Sequence, residues 1–170
     1  GAARGGGDVH ECRLALARLA GADSLPRSAA VVEALEELGV SAGPTAEANA
    51  YAQYLQDLGR AAGGDGEVSS RAACLKLVAH FFALHVTHAT SFRGLLTRGS
   101  SRLGLGPGLA ASEGYQVPGS SDGPVGALQA AVNSAGVELS NADDAESVAS
   151  EVRKAVQKTA VLVLPLAKVA

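Results

Sequence analysis

The longest stretch of the chain without a proline or a run of glycines covers residues 71–98, RAACLKLVAHFFALHVTHATSFRGLLTR. Leu75, Val78 and Phe82 recur within it at the spacing of three to four residues that is typical of a helix. Because this stretch is apolar over much of its circumference, we predict that it lies at the centre of a helical domain. It also holds three of the four histidines, which makes it the first place to look for chemistry.

The composition indicates a single domain with an unusual core. The 170 residues are 47% hydrophobic but only 4% aromatic, so alanine, leucine and valine must build the interior and the helices can approach closely. A net charge of −3 without any cluster of Lys and Arg argues against a nucleic-acid partner. No run of 18 apolar residues is present, so we predict no transmembrane segment. Cys12 and Cys74 are predicted to be buried free thiols, with a disulfide as the alternative.

No segment alternates apolar and polar residues with a period of two, so the predicted fold class is all-α. Residues 1–7 are glycine-rich and are predicted to be a disordered N-terminal segment, followed by one helical domain over 8–170. Cap signals at Asp8, Ser24, Thr45 and Ser140 or Asn141 help to place its helices. The predicted helices cover residues 8–20, 24–39, 45–60, 71–98, 124–136 and 143 onward, with a loop at 61–67 and a long Gly/Ser/Pro-rich loop at 99–124.

From the residues alone, the central helix shows no active site. His85 and His88 face one side of it, but a metal site would need carboxylate ligands, and the helix has none between residues 68 and 98. The simplest interpretation is partly buried histidines with hydrogen bonds, while a single imidazole such as that of His80 could also ligate heme iron. The serines lack a nucleophile motif and a histidine or aspartate partner. Tyr51 and Tyr54 are interpreted as core or rim aromatics.

Three stretches nevertheless resemble the plant and algal type of heme oxygenase. They are ECRLALARLAGAD (11–23), AYAQYLQDL (50–58) and HFFALHVTHATSFRG (80–94), which are similar to that family's first helix, its YxxYLxxL helix and its distal helix. His80, His88 and Arg93 fall on their counterparts in the distal helix. The resemblance implies a heme-oxygenase-like multi-helical bundle, shortened by about a helix pair between its first two helices.

The same resemblance implies that the heme chemistry is lost. The family's proximal histidine corresponds to Ala20, and alanine cannot coordinate iron. The glycine pair of the distal helix, which lets the backbone lie close to heme, corresponds to Ser91 and Phe92. A phenylalanine ring would fill the space of the porphyrin. These three positions are therefore vestigial, and we expect no catalytic residue, no bound cofactor and no metal.

The resemblance implies a pseudoenzyme that acts as a scaffold or accessory subunit of a plastid protein assembly, for example a photosynthetic one. Its expected partners are other protein subunits, with peripheral contact to a membrane complex. Its expected location is the stroma or the stromal side of the thylakoid, after removal of a transit peptide. One alternative is a tetrapyrrole-binding regulator without turnover, in which Lys158 would face a propionate. The other is an active heme oxygenase with His80, His85 or His88 as iron ligand.

Overall fold

The computed structural model describes residues 8–20, 36, 43–87, 123–139 and 141–167, and every element in this part of the chain is helical. The prediction of an all-α fold is thereby confirmed. The helices in chain order are α1 (Val9–Ala20), α2 (Ala46–Ala62), α3 (Glu67–Thr87), α4 (Gly123–Gly136) and α5 (Ala142–Ala167). The predicted helix at 24–39, apart from the helical Glu36, lies outside the described residues. So do the N-terminal segment 1–7, the end of the central helix and almost all of the loop 99–124.

The chain forms two compact units. One consists of Gly1–Gly21, Thr45–Leu84 and Ala131–Ala170, and the other of Ala22–Pro44 and His85–Ala130. In the second unit, the described part of α4 carries Leu128, which is buried with 2% of its surface exposed. In the first unit, α1, α2, α5 and most of α3 form a packed helical body. The prediction of one domain over 8–170 remains a prediction.

Three of the predicted caps are observed. The Asp8 carboxylate accepts a hydrogen bond of 3.0 Å from the backbone N–H of His10 at the start of α1. The Thr45 hydroxyl accepts a hydrogen bond of 3.2 Å from the backbone N–H of Ala48 at the start of α2. The Asn141 side chain accepts one of 3.0 Å from the N–H of Asp143 at the start of α5. Each cap satisfies a backbone donor that the first turn of a helix leaves unpaired. Of the two candidates for the α5 cap, the described residue Asn141 fills the role.

The connection between α2 and α3 is shorter than predicted, because α2 continues to Ala62 and α3 begins at Glu67. The Arg13 guanidinium on α1 explains the tight turn. It donates hydrogen bonds to the carbonyl oxygen of Ala62 at 2.9 and 3.1 Å and to that of Gly64 at 3.1 Å. It also donates to the Ser70 hydroxyl at 3.0 Å, and that hydroxyl donates in turn to Ala62. The carbonyl of Ala62, the last residue of α2, is thus satisfied by side chains of α1 and α3.

The core of the first unit is built from small side chains, as the composition predicts. Seven of the thirteen buried hydrophobic residues in the described chain are alanines, and none is aromatic. On α1, Cys12, Ala15 and Leu19 form one buried stripe at helical spacing. Leu19 is 1% exposed, which corresponds to roughly 1.5–3 kcal/mol of hydrophobic stabilisation.

Helix α3 carries the largest set of buried residues within this unit, in agreement with the predicted central position. Leu75 packs in one apolar cluster with both cysteines, and Val78 packs in a second cluster with Ala15 and Leu19. Cys12 and Cys74 are buried and free, which confirms the prediction of free thiols. Burial, together with the neighbouring Cys12, raises the pKa of Cys74 to about 11, so its thiol stays protonated and unreactive at neutral pH. None of the helices in the described ranges is both long and apolar enough to cross a bilayer.

Candidate functional site

A buried polar network joins α2, α3 and α5 at His80. The His80 side chain on α3 is 0% exposed. Its Nδ1 atom lies 2.6 Å from the Tyr51 hydroxyl on α2, within hydrogen-bond distance. Its Nε2 atom faces an oxygen of Glu151 on α5 at 3.5 Å, too poorly placed for a regular hydrogen bond. The other oxygen of Glu151 accepts a hydrogen bond of 2.9 Å from Lys154. The network therefore runs from Tyr51 through His80 to Glu151.

Tyr54 adds an aromatic wall to this network. Its ring meets the His80 ring edge to face, with 5.2 Å between the ring centroids. The Lys158 ammonium lies 3.6 Å from the centroid of the Tyr54 ring, in a cation–π contact. Lys158, which the resemblance suggested for a propionate, thus contacts an aromatic side chain of its own chain. Tyr54 and Lys158 link α2 to α5 around the buried histidine.

The surroundings of His80 favour the neutral imidazole. Burial lowers the pKa of His80 below its usual 6.5, and the charge of Lys158 lowers it further, while Glu151 acts in the opposite direction. Burial raises the pKa of Glu151, but the hydrogen bond and charge of Lys154 outweigh burial and leave that pKa below its usual value. At neutral pH the site therefore holds a neutral ring beside a carboxylate. That carboxylate favours the tautomer with the proton on Nε2, with Tyr51 donating to Nδ1.

We expect the stability of the folded chain to fall as the pH drops from 6.5 towards the lower folded pKa of His80. In that window the unfolded chain binds a proton at His80 and the folded chain does not, so protonation favours unfolding. Lys76, Lys154, Lys158 and Glu151 are the charged groups near the ring, and Glu151 contributes in the same direction only below its usual pKa of 4.5. Urea unfolding at a series of pH values measures the effect.

The His80→Phe variant provides the comparison, because it lacks the titrating ring. The difference in free energy of unfolding between the parent chain and this variant should be smaller at pH 5.5 than at pH 7.5. The reason is that the parent loses the stabilising contribution of His80 as the pH falls. The His10→Gln variant, at an exposed position on α1, should keep the pH dependence of the parent. An unchanged gap between the parent and His80→Phe across this range would contradict the expectation.

The remaining predicted site residues are taken one by one. Ala20 is the last residue of α1 and is exposed. His85 is half-buried in the second unit, whereas His88, Ser91 and Phe92 lie outside the described residues. Within the described ranges, no group of three or more His, Cys, Asp and Glu side chains is placed to hold a metal ion.

A second feature is a polar cleft between α3 and α5, which we call the α3–α5 cleft. It consists of two cavities of about 550 and 430 Å³ that share Ala72, Leu75, Asp143 and Ser147. At its base, Arg71 on α3 forms an ion pair with Asp144 on α5, which is 2% exposed. The Arg71 Nε and Asp144 Oδ2 atoms are buried without a hydrogen-bond partner in the described structure. Glu151, at the other end, connects the cleft to His80.

A third feature is an apolar groove of about 520 Å³ in the first unit. Its walls come from α1, α3, α4 and α5 and include Leu19, Val78, Phe82, Val132, Val148 and Val152. Arg153 is the one charged side chain among the described residues of this lining. Volume and lining both fall in the range of sites that bind small apolar molecules.

From the sequence alone, neither the buried carboxylates of Asp144 and Glu151 nor the half-buried Arg71 were identified as site residues. The spacing of residues on α5 could have indicated the two carboxylates. The buried positions of this helix follow each other at helical spacing: Asp144, Glu151, Ala155 and Thr159. Two acidic residues on an otherwise apolar face indicate buried carboxylates that need partners. The identity of those partners is not encoded in the spacing, because they lie on another helix.

The likeness to heme oxygenases rests on the three quoted stretches. In the described part, Arg13, Tyr51, Tyr54 and His80 from those stretches all make contacts that hold helices together. Each of these contacts packs one helix against another. Comparison of the chain with family models, curated proteins and solved structures gave no match.

Proposed function

We propose that this chain is a non-catalytic protein, similar to heme oxygenases, that serves as a scaffold or accessory subunit of a larger protein assembly. The observation that carries the proposal is the placement of His80. An axial heme ligand needs a ring nitrogen directed into an open cleft. The His80 ring is 0% exposed, with Nδ1 on the Tyr51 hydroxyl and Nε2 towards Glu151.

The described residues do not fit heme iron. Ala20, at the register of the family's proximal ligand, has no donor atom and is exposed at the end of α1. Moving His80 onto iron would leave the Tyr51 hydroxyl without its ring partner, at a cost of about 1–3 kcal/mol. We therefore derive no step of a heme reaction for this chain.

Interhelical polar contacts support a structural role. Arg13 ties α1 to the α2–α3 turn, Arg71 ties α3 to α5, and Tyr51 ties α2 to α3. Helices held together by such contacts present a fixed surface to a partner. Less conformational entropy is then lost when the partner binds. The resemblance supports a plastid assembly as the setting, for example a photosynthetic one, with contact to a membrane complex at its periphery.

A second candidate is a regulator that binds a tetrapyrrole without turnover. The apolar groove favours it, because an apolar lining beside one cation, Arg153, suits a flat apolar molecule that carries an acid group. Lys158 gives this candidate no support, since it lies over Tyr54 and is not part of the groove.

Titration of the purified chain with hemin separates these functions. The scaffold proposal expects no Soret shift at a stoichiometric ratio of hemin to protein. Saturable binding at that ratio, weakened by Arg153→Gln but not by Lys158→Gln, would instead establish the tetrapyrrole regulator. Formation of biliverdin in the presence of a reductant would overturn both non-enzymatic functions.

The scaffold role itself is tested by isolating the chain from plastids under native conditions. It predicts that the chain migrates with a defined set of protein subunits in stable proportions. Recovery of the chain alone, at its monomeric size and with no subunit in constant ratio, would contradict the proposal. The His80→Gln variant should keep the same partners, because the proposal gives His80 no role at the surface.

A further inference from the structure

We propose that the apolar groove is a binding site for a long-chain monocarboxylic acid, a molecule with one extended hydrocarbon chain and one acid group. This inference goes beyond the scaffold function and does not depend on it. Three observations lead to it: the groove reaches the hydrophobic core, it follows α5 for about two turns, and it has a single cation without an ion-pair partner.

The floor of the groove is part of the hydrophobic core. Leu19, Val78 and Ala135 line it, and all three are buried members of one apolar cluster. At the end of α4, Gly136 has nothing within 4 Å of the position that a Cβ atom would take. A volume of about 520 Å³ between such walls lies in the range of small-molecule sites. A hydrocarbon chain in this space would leave water and cover part of the core cluster.

The lining along α5 indicates the shape of the ligand. The lining residues of this helix begin at Ala145 and end at Arg153. At the helical rise per residue, this part of α5 is about 12 Å long, which is more than two turns. Val148 and Val152 lie between these ends and are half-buried. An extended hydrocarbon chain along α5 contacts these side chains together, whereas a compact ligand leaves part of the groove in water.

Arg153 specifies the polar end of the ligand. It is exposed and forms no ion pair with any described residue. The other described residues of the lining carry no charge. A guanidinium binds a carboxylate through two parallel hydrogen bonds. One cation at the end of an apolar groove therefore matches one acid group at the end of an apolar chain.

The same lining distinguishes this ligand from heme. Heme carries two propionates, and the described lining offers a single cation. No histidine, cysteine, tyrosine or methionine is among the described lining residues, so heme iron would find no axial ligand there. A ligand with one acid group and without a metal matches these residues more closely.

The test measures how well unlabelled ligands displace a fluorescent fatty acid from the full chain. We expect dodecanoate to bind with one molecule per chain. Dodecanol and dodecylamine, which keep the hydrocarbon chain and lack the negative charge, should bind at least about 5-fold more weakly. Octanoate should bind more than about 10-fold more weakly than dodecanoate, because each buried methylene contributes up to about fourfold in affinity. Absence of dodecanoate binding, or equal affinity for dodecylamine, would overturn the proposal.

Variants of the cation locate the acid group. Arg153→Gln should weaken the binding of dodecanoate at least about 5-fold and leave that of dodecanol unchanged. The matched control is Lys158→Gln, at an exposed position of α5 that is not among the lining residues of the groove. It should keep the affinity of the parent chain for both ligands. If Arg153→Gln binds dodecanoate as tightly as the parent chain does, the proposal is wrong.

Variants that fill the groove locate the hydrocarbon chain. Gly136→Leu and Ala149→Phe should each abolish binding of dodecanoate and of dodecanol, because both positions line the groove. Gly136→Leu is expected to fold, since its new Cβ atom meets open space and leucine favours a helix over glycine. Ala160→Phe, at an exposed position of α5 outside the lining, is the control and should bind both ligands. Parental affinity for dodecanoate in a folded Gly136→Leu chain contradicts the proposal.

Other occupants of the groove give different results. If the parent chain is a dimer and Ala149→Phe is a monomer, the groove holds a second copy of the chain and the proposal fails. If Ala149→Phe loses the plastid subunits that Ala160→Phe keeps, a protein partner occupies the groove, so this inference fails while the scaffold function is supported. Displacement of the fluorescent fatty acid by stoichiometric hemin would overturn both. A chain that keeps its subunits and fails to bind dodecanoate would overturn this inference alone.

Discussion

Replacing Arg71 by methionine is expected to lower the free energy of unfolding by about 3–5 kcal/mol. The guanidinium pairs with Asp144, whose side chain is 2% exposed at the start of α5. Without it, a carboxylate remains in the interior with neither water nor a counter-charge. Urea denaturation monitored by circular dichroism measures the loss, and a change in the midpoint at constant slope would assign it to stability.

Two controls show whether the loss comes from the unpaired charge. The variant Arg18→Met removes a partner of Glu138 in a more exposed ion pair, so it should cost less than about 1 kcal/mol. The double variant Arg71→Met/Asp144→Leu removes both charges and should recover most of the stability. If the double variant is as unstable as Arg71→Met alone, packing of the arginine stem and not charge burial determines the result.

The second large effect is expected at the buried histidine. His80→Ala should lower the free energy of unfolding by about 2–4 kcal/mol, because it leaves a cavity and two polar neighbours without the ring. Tyr51→Phe removes only the hydroxyl at 2.6 Å from Nδ1 and should cost about 1–2 kcal/mol. Thermal and urea unfolding of both variants and of the double variant give the coupling energy between the two side chains.

Tyr54→Phe is the matched control for Tyr51→Phe. It lies one helical turn further along α2 and keeps the ring that contacts His80 and Lys158. Its stability should therefore stay within about 0.5 kcal/mol of the parent chain. Equal losses in the two tyrosine variants, or additive losses of Tyr51→Phe and His80→Ala, would show that the hydrogen bond contributes nothing specific.

These two sites explain how a core of small residues can hold a defined arrangement. Alanine side chains bring helices close together but interlock weakly, since they have no shape beyond a methyl group. The ion pair of Arg71 and the network of His80 each join α3 to α5 at a fixed register. A shift of one helix along the other would break both contacts at once, which penalises alternative packings.

The sequence predicts those features of the fold that depend on local interactions. Thr45 and Asn141 cap their helices with their own side chains, and the stripe of Cys12, Ala15 and Leu19 marks the buried face of α1 by spacing alone. The α2–α3 turn was predicted too long, because its ends are set by Arg13, a residue of another helix. Contacts between residues about 50 positions apart leave no mark on local periodicity.

For the candidate site, the sequence singles out His80 but not its partners. Tyr51, interpreted as a core or rim aromatic, is half-buried and also forms the hydrogen bond to His80. Only the tetrapyrrole-binding alternative gives Lys158 a propionate to face, and in the structure its ammonium lies over Tyr54. Glu151 was not singled out at all, although its position on a buried face is readable. Residue type and spacing indicate which interactions each side chain is able to make. Which of them it makes depends on the residue that packs beside it.

The sequence by itself therefore determined an all-α chain, the limits of most described helices, an alanine-rich core and two free buried thiols. These properties depend on composition and on interactions within a few residues of each other. Only the tertiary structure decided that the His80 ring lies between Tyr51 and Glu151, and that Asp144 is buried against Arg71. The reason is that burial and pairing depend on which helix faces arrive beside each other, and that is a property of the assembled fold.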